Sequence, residues 1–466
     1  MNKTAFIVIV FVILGFSSCQ KKQSEERPKP NIIIIVADDL GWNDVSLHGS
    51  DIKTNAIDKL ASEGMEFTRF YAAPVCSPTR AGLLTGFYPD RFNLRNYVYS
   101  PKHIGGITPE TKMLPEFLKK AGYSRTAAFG KWHLGHSNLK YHPNSNGFDY
   151  FYGHYNGAID YFTHKRVGEL DWHRNNEPCF DEGYSTDLVE KEVVRFLNQS
   201  KNEEPFFAYV AFNAPHSPMQ AKEEELKEYG YDSEKTNEDY VIGGSQPGES
   251  DLENYGKIGR GNNLRQTFSG MVASLDKSIG NILKVLKENK LDENTIVWFL
   301  SDNGGSYVFG GNNKPLRGAK HEEWEGGVRV VSILRWPGKV KANTKTSKLV
   351  AYIDVLPTIL NIVGDKPTES FDGINIMDAI NGEELPDRSI YLGNTGIVSQ
   401  KWKMNKGELF KIEEDMSEMR NVAAEYPDVV QEFNTQIKAF GKMRPNDKPE
   451  IQPKDWTPPK NWTMPE

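Results

Sequence analysis

The run Asn31-Ile-Ile-Ile-Ile-Val-Ala-Asp-Asp39 constrains the fold more than any other stretch of this chain. Four isoleucines and a valine in succession leave no polar face, so the segment reads as a strand covered on both sides. That is the environment at the middle of a largely parallel sheet. Ligands of open α/β sheets gather at the carboxyl ends of such strands, and this one ends in Asp38-Asp39. Two carboxylates at that edge repel each other unless a cation sits between them; two acids capping a loop is the plain alternative.

A second strand of the same kind, Asn294–Leu300, ends in Ser301-Asp302-Asn303-Gly304-Gly305. Two acidic strand ends far apart in sequence are what a shared metal site requires. Asp38, Asp39, Asp302 and Asn303 offer oxygen ligands only, which suits a hard cation, and a set containing Asn favours Ca²⁺ over Mg²⁺. No Cys/His cluster suggests zinc.

Between these strands lies Cys76-Ser77-Pro78-Thr79-Arg80. Pro78 suits a first helical turn and Ser77 is an acceptable N-cap, so the stretch is expected to place Cys76 at the mouth of a helix. Free N–H groups and a partial positive charge there favour an anion, and Arg80 adds a permanent cation. The plain alternative is a buried thiol beside a surface charge. Gly130-Lys131-Trp132-His133-Leu134-Gly135, Asn213-Ala-Pro-His216 and the polar loop holding Arg317 and Lys320 add cations and imidazoles suited to a tetrahedral oxyanion.

Further elements are expected as helices over 58–63, 108–121, 184–198, 266–289 and 353–363, and as strands over 65–71, 126–129, 206–212 and 328–334. The segment 146–173, dense in aromatics with polar tips, reads as a cleft wall rather than core. Residues 221–265 read as a polar insertion with little regular structure. Beyond Gly373 short strands and one helix suggest a smaller α+β unit. The expected division is a signal over 1–19, a tether over 20–30, a catalytic domain over 31–370, a C-terminal subdomain over 371–444 and a Pro-rich tail over 445–466, extended along the surface.

The first residues read as a processing signal. Lys3 precedes an apolar run that is short for a membrane span, and Phe16-Ser-Ser-Cys19 resembles a bacterial lipobox. An exported lipoprotein of the periplasm or outer membrane, anchored through a lipidated Cys19, is expected. If Cys19 and Cys76 are both modified, Cys179 is left alone among three cysteines and no disulfide framework remains. The net charge of −7 gives no support to nucleic-acid binding.

Taken in order, strand plus Asp-Asp, C-x-P-x-R, Gly-Lys-Trp-His, Ala-Pro-His, Ser-Asp-Asn-Gly-Gly and Arg-Gly-x-Lys…Trp-Glu-Gly-Gly resemble the formylglycine-dependent sulfatases of the alkaline-phosphatase-like superfamily, over roughly residues 30 to 430. The family more often has Ser where Thr79 stands. The resemblance implies an α/β fold with a large, mixed, mostly parallel sheet between helices. It implies that Cys76 is oxidised to formylglycine by a maturation enzyme and that Asp38, Asp39, Asp302 and Asn303 bind Ca²⁺. Arg80 would hold the hydrated aldehyde and its helix, Lys131 and Lys320 would grip sulfate oxygens, His216 would act on the leaving group, and His133 would take a proton in the step that expels sulfate.

The stretches Asn156–His164 and Tyr184–Leu188 look most like arylsulfatase-B-type enzymes and bacterial polysaccharide sulfatases. A sulfated glycan of galactose-type or N-acetylgalactosamine-type residues is the expected substrate, with Arg95, His103, Asp160, His164, Arg166, Trp172 and Arg174 as candidate sugar contacts. The competing readings are a phosphodiesterase or phosphonate monoester hydrolase of the same superfamily, and an inactive surface glycan-binding lipoprotein.

Overall fold

A computed structural model of the protein describes residues 29–466 apart from 96, 108, 201–203, 239–254, 367 and 446–449. The signal, Cys19 and most of the tether lie outside the described residues, as do Thr108 and the middle of the 221–265 insertion.

The isoleucine run becomes the strand Asn31–Ala37, buried along its whole length. Its side chains alternate between two cores, as the two-residue period of a strand requires. Ile32, Ile34 and Val36 join Leu83, Leu84, Leu356 and Ile359 on one face. Ile33, Ile35 and Ala37 join Ile57, Leu60, Val189, Met271 and Leu275 on the other. Burying each such aliphatic side chain is worth about 1.5–3 kcal/mol, which is why so apolar a run is stable only at the centre of a three-layer molecule.

Among the described residues ten strands form the main sheet. Its order is Glu177–Pro178, His173–Arg174, Tyr150–His154, Arg125–Lys131, Phe206–Ala211, Asn31–Ala37, Thr295–Ser301, Ser332–Arg335, Met65–Phe67, Thr344–Thr346. The five strands from Tyr150–His154 to Thr295–Ser301 run parallel, with Ile32 opposite Phe207 and Ala37 opposite Ser301. Their carboxyl ends therefore open on one edge. Antiparallel neighbours flank them on both sides, and the last strand, Thr344–Thr346, pairs parallel with Met65–Phe67.

A separate antiparallel sheet of Ser389–Tyr391, Ile397–Ser399, Trp402–Asn405 and Glu408–Lys411 carries the helix Pro427–Phe440 over a small core of Ile397, Met404, Leu409, Val422 and Phe433.

Four expectations are corrected. The stretches 65–71 and 328–334, each expected as one strand, divide in two: Phe70–Tyr71 and Arg329–Val330 leave the main sheet and pair with each other in a three-stranded sheet. The helix expected over 108–121 is confined to Leu114–Lys120, because the Glu116 carboxylate accepts the Met113 N–H at 2.8 Å and defines the helix start there. The aromatics of 146–173 are core: Phe148, Phe151, Tyr152, Tyr155, Tyr161 and Trp172 are buried. Their polar tips find partners inside the protein, Tyr152 on Asp181 and Tyr161 on the Asn213 and His216 carbonyls. The tail is extended but not merely superficial, since Glu450–Ile451 pairs with His103–Ile104 and Trp462 is fully buried.

Candidate active site

Each parallel strand delivers something to the open edge. Asn31–Ala37 runs into Asp38 and Asp39, Thr295–Ser301 into Asp302 and Asn303, Arg125–Lys131 ends on Lys131 and leads to His133, and Phe206–Ala211 leads to His216. Tyr150–His154 leads to Asn156 and Gly157. The helix Cys76–Thr85, buried throughout, points its amino end at the same place. It begins at Cys76 itself after an extended Val75, so Ser77 is not the expected cap. The Ser77 hydroxyl instead donates to the His133 carbonyl at 2.9 Å, and the Thr79 hydroxyl accepts the Ala73 N–H at 2.9 Å. Pro78 does sit in the first turn.

The acids and cations interlock. Lys131 Nζ lies 2.5 Å from Asp38 Oδ2, and Lys320 Nζ 2.8 Å from Asp39. Arg80 Nη2 and Nε donate to Asp302 Oδ2 at 2.7 and 3.1 Å, and Nη1 to the Lys131 carbonyl at 3.1 Å. Arg80 thus braces the floor of the site. Asn303 Nδ2 donates to Asp39 Oδ1 at 2.8 Å, and Asp39 is held at a left-handed φ of 67°, a strained conformation typical of functional positions.

Two oxygens bear on a metal: Asp38 Oδ1 and Asn303 Oδ1 are buried without a hydrogen-bond partner among the described residues. Asp38, Cys76 and Asp302 bring ligand atoms within 4.8 Å of one another, as do Asp38, Asp39 and His216. Orphaned oxygens in an all-oxygen set fit a hard cation.

Burial pushes the Asp302 carboxyl up to about 6, with the Asp38 charge adding to it against Arg80. Burial acts on Asp39 too, but Lys320 and His216 outweigh it and hold its carboxyl well below the usual range. Burial raises the Cys76 thiol in spite of Lys131 and Lys320, so the unmodified side chain is a thiol rather than a thiolate. Burial, then Lys320, lowers His216 to about 3, and burial with Lys131 keeps His133 neutral.

A cavity of about 300 Å³ opens above this floor, lined by Cys76, His133, His216 and Lys320. Ser100, Gly157, Phe309 and His321 also line it, none of them among the expected site residues. Gly157 had a signal in the Asn156–Asp160 stretch, and His321 in its place beside Lys320. Gly157 touches the His133 imidazole so closely that a Cβ there would lie 2.4 Å from Cε1.

Of the seven candidate sugar contacts, Arg166 lines the cavity, and its Nη1 donates to the Tyr255 hydroxyl at 3.3 Å. His103 stands behind it, its Nδ1 2.7 Å from the Ser100 hydroxyl. The other five are placed elsewhere. Asp160 is fully buried, accepting the Phe162, Thr163 and Gly256 amides. His164 bonds the Gly183 carbonyl and stacks on Trp172, which is itself core. Arg174 pairs with Asp181 and Glu192 at the sheet margin, and Arg95 with Asp90 beside Tyr391. Cys179 is a half-buried thiol whose Sγ lies 3.1 Å from Asp181 Oδ2.

A cavity lined by Lys320 and two histidines over buried acids, at the carboxyl edge of a mostly parallel sheet, has the arrangement of a hydrolase site of the alkaline-phosphatase-like fold. The sulfatase family model matches residues 30–364, and the chain belongs to that family. Mouse arylsulfatase J is 34% identical over 379 residues, covering 78% of this chain and 58% of that protein. Mouse N-acetylgalactosamine-6-sulfatase is 32% identical over 397 residues, covering 78% of this chain and 69% of that one. Among solved structures, Ps i-CgsB in complex with k-i-k-neocarrahexaose aligns with a TM-score of 0.77 and 30% identity, over 90% of this chain and 94% of that one.

Proposed function

We propose that the protein hydrolyses sulfate esters of a glycan built from galactose-type or N-acetylgalactosamine-type residues. The observation that carries this reading is the interlocked set of three carboxylates and three cations around Cys76, in and beneath a cavity that Cys76 and Lys320 line. The relatives' names and the neocarrahexaose complex of the structural neighbour support the sugar class.

Asp38, Asp39, Asp302 and Asn303 are the residues to hold Ca²⁺, which would supply Lewis-acid charge to a sulfate oxygen. Converted to formylglycine by a maturation enzyme, Cys76 would supply one carbon bearing two hydroxyls, one to attack sulfur and one to expel it. The site's own charges, Asp38, Asp39 and Asp302 against Arg80, Lys131 and Lys320, cancel formally, so a bound dication makes the cavity receptive to an anion. Lys320 lines the cavity and can turn its ammonium toward a sulfate oxygen; Lys131 supports the same field from beneath.

The His216 Nδ1 lies 2.6 Å from the Ser217 carbonyl, which can only accept. The proton is therefore on Nδ1 and Nε2 presents a lone pair, so the proton needed by the leaving oxygen would come from the Lys320 ammonium, which lines the same cavity, with His216 orienting that oxygen. His133, neutral and with a buried Nδ1 that has no partner among the described residues, is the base that takes a proton from the group at position 76. An exported, Cys19-anchored location extends the same reading, since it would bring the enzyme to polymeric substrate.

Sulfate release from defined mono- and oligosaccharide sulfates, by matured protein and by Cys76→Ala, tests the proposal. Release confined to the matured protein and abolished by a calcium chelator is expected. No release from any sulfated sugar, with the aldehyde confirmed by mass, would overturn it.

A further inference from the structure

The chain enters the main sheet at the edge opposite the active cavity. Asn31 pairs with Thr295 at the amino ends of the two central strands, and Asn294 Nδ2 donates to the Lys29 carbonyl at 3.1 Å. The seven residues of Asn31–Ala37, at about 3.3 Å each, separate this entry from Asp38 by roughly 20 Å. From Cys19 to Lys29 the tether spans at most about 35 Å. A lipid on Cys19 would therefore lie nearest the amino edge, with the cavity on the far side.

A groove of about 450 Å³, larger than the active cavity, opens at that edge between the helices Asn55–Glu63 and Leu264–Glu288. The second helix leads through Asn294 into the strand Thr295–Ser301, so its last turns lie beside the entry of the chain. Ala56, Gly280 and Leu283 give the groove an apolar floor. Lys59, Lys284 and Lys287 stand exposed around it, against one carboxylate, Glu288. Among the described residues Lys59 pairs only with Glu63 and Lys284 only with Glu288, each at 3.8 Å on the surface, and Lys287 has no ion pair. Pairs this loose cost little to exchange for other anions.

A protein of net charge −7 is repelled by an anionic bilayer unless it presents a local cationic patch. Ammonium groups around an apolar floor match a layer of phosphate headgroups with acyl chains beneath it. Lys21 and Lys22, next to Cys19 in the sequence, extend the same charge along the tether.

We propose that this groove docks on the anionic phospholipid surface to which Cys19 is anchored, holding the amino edge of the sheet down and turning the active cavity outward. The inference rests on the Cys19 reading and is independent of which sulfated sugar is cleaved. It leaves the cavity open to polymers too large to pass between protein and bilayer.

The test uses the mature full chain, its acylation checked by mass. The protein is reconstituted on vesicles of phosphatidylethanolamine and phosphatidylglycerol, three to one, or of phosphatidylcholine alone. A soluble amine-reactive ester then labels exposed lysines, and mass spectrometry reads each one. Labelling of Lys59, Lys284 and Lys287 is expected to be about tenfold slower on the anionic vesicles and to recover in about 0.5 M salt. Lys314, exposed in the loop that carries Lys320, should keep one rate on both. In Lys284→Glu combined with Lys287→Glu, Lys59 should lose its protection while turnover of a soluble sulfate ester stays at the wild-type value. Acylated protein labelled equally on both vesicles overturns the docking and leaves the anchor standing. Equal protection by a soluble sulfated polysaccharide or inorganic phosphate, without vesicles, overturns the lipid assignment. Mature protein without acyl chains removes anchor and docking together and leaves the sulfatase reading untouched.

Discussion

At the scale of single residues, the site depends as much on what is missing at position 157 as on what is present at 133. The His133 backbone is held at a left-handed φ of 57° by its N–H bond to the Tyr155 carbonyl, and its ring lies against Gly157. Asp171 fixes that glycine's neighbourhood by accepting the Tyr155 and Asn156 amides at 2.9 Å each. A methyl at 157 would overlap the imidazole, and the flexible partner in that clash is the His133 ring, the candidate base. Gly157→Ala is therefore expected to lower kcat/KM on the order of a hundredfold by displacing His133, with little change in thermal midpoint. Steady-state rates and a melting curve on the same preparation decide it; wild-type turnover would show that His133 is not the base. The candidate metal ligands allow a sharper reading. Asp302→Ala removes both a candidate ligand and the partner of Arg80, so it should lose calcium binding by calorimetry and activity together. A variant that keeps either would separate the cation from the chemistry.

At the scale of elements, two helices are joined by a carboxylate borrowed from one to start the other. The helix Asn55–Glu63 follows Thr54, which gives it no side-chain cap. Asp276, on the helix Leu264–Glu288, accepts the Ala56 and Ile57 amides at 2.9–3.1 Å instead. Burial raises this carboxyl to about 6 although those amides pull it down. The folded state thus retains a proton that the unfolded chain has already lost. The stability it contributes is full below about pH 4 and is lost as pH rises through about 6, by at most about 3 kcal/mol. Urea unfolding of wild type and Asp276→Asn across that window should show a shallower slope in the variant, since Asp302 keeps its own contribution in both; parallel curves would refute the assignment.

The same scale explains what was legible in the sequence. Strands buried on both faces announce themselves because no polar residue can enter them, and their acidic ends mark the site. The breaks near residues 68 and 331 carry no such mark, because polar residues stand inside the halves (Glu66, Arg329) as well as beside the breaks (Thr68, Arg69, Ser332), and only the partners of the halves differ. The aromatics of 146–173 misled for the opposite reason: a tyrosine tip exposed to water and one bonded to a buried carbonyl look alike in sequence. Asp160 and His164 offer polar groups suited to a sugar, and backbone amides and carbonyls consume them.

At the scale of the whole molecule, the C-terminal sheet is tied to the catalytic body by an ion cluster that reaches toward the site. Lys403, in the strand Trp402–Asn405, is fully buried between Glu325 at 2.9 Å and Glu418 at 3.0 Å. Glu325 also receives the Tyr71 hydroxyl and Arg329, each at 3.1 Å. It opens the turn Glu325–Val328, whose glycines lie against Gly304, next to Asn303: the Gly304 N–H donates to the Gly327 carbonyl at 3.0 Å. A contact made by the outer sheet is therefore two hydrogen-bonded steps from a candidate metal ligand. Lys403→Met would leave Glu418 without its cation and Glu325 with Arg329 alone, and should cost about 3–5 kcal/mol of unfolding free energy. Tyr71→Phe removes one neutral hydrogen bond to the same carboxylate and should cost about 1 kcal/mol, leaving a folded protein in which the coupling can be read. If the cluster positions the Asn303 strand end, calcium affinity falls in both variants in the order of their destabilisation. Calcium affinity that is unmoved in folded Tyr71→Phe and Lys403→Met protein would reduce the cluster to a fastening between two sheets.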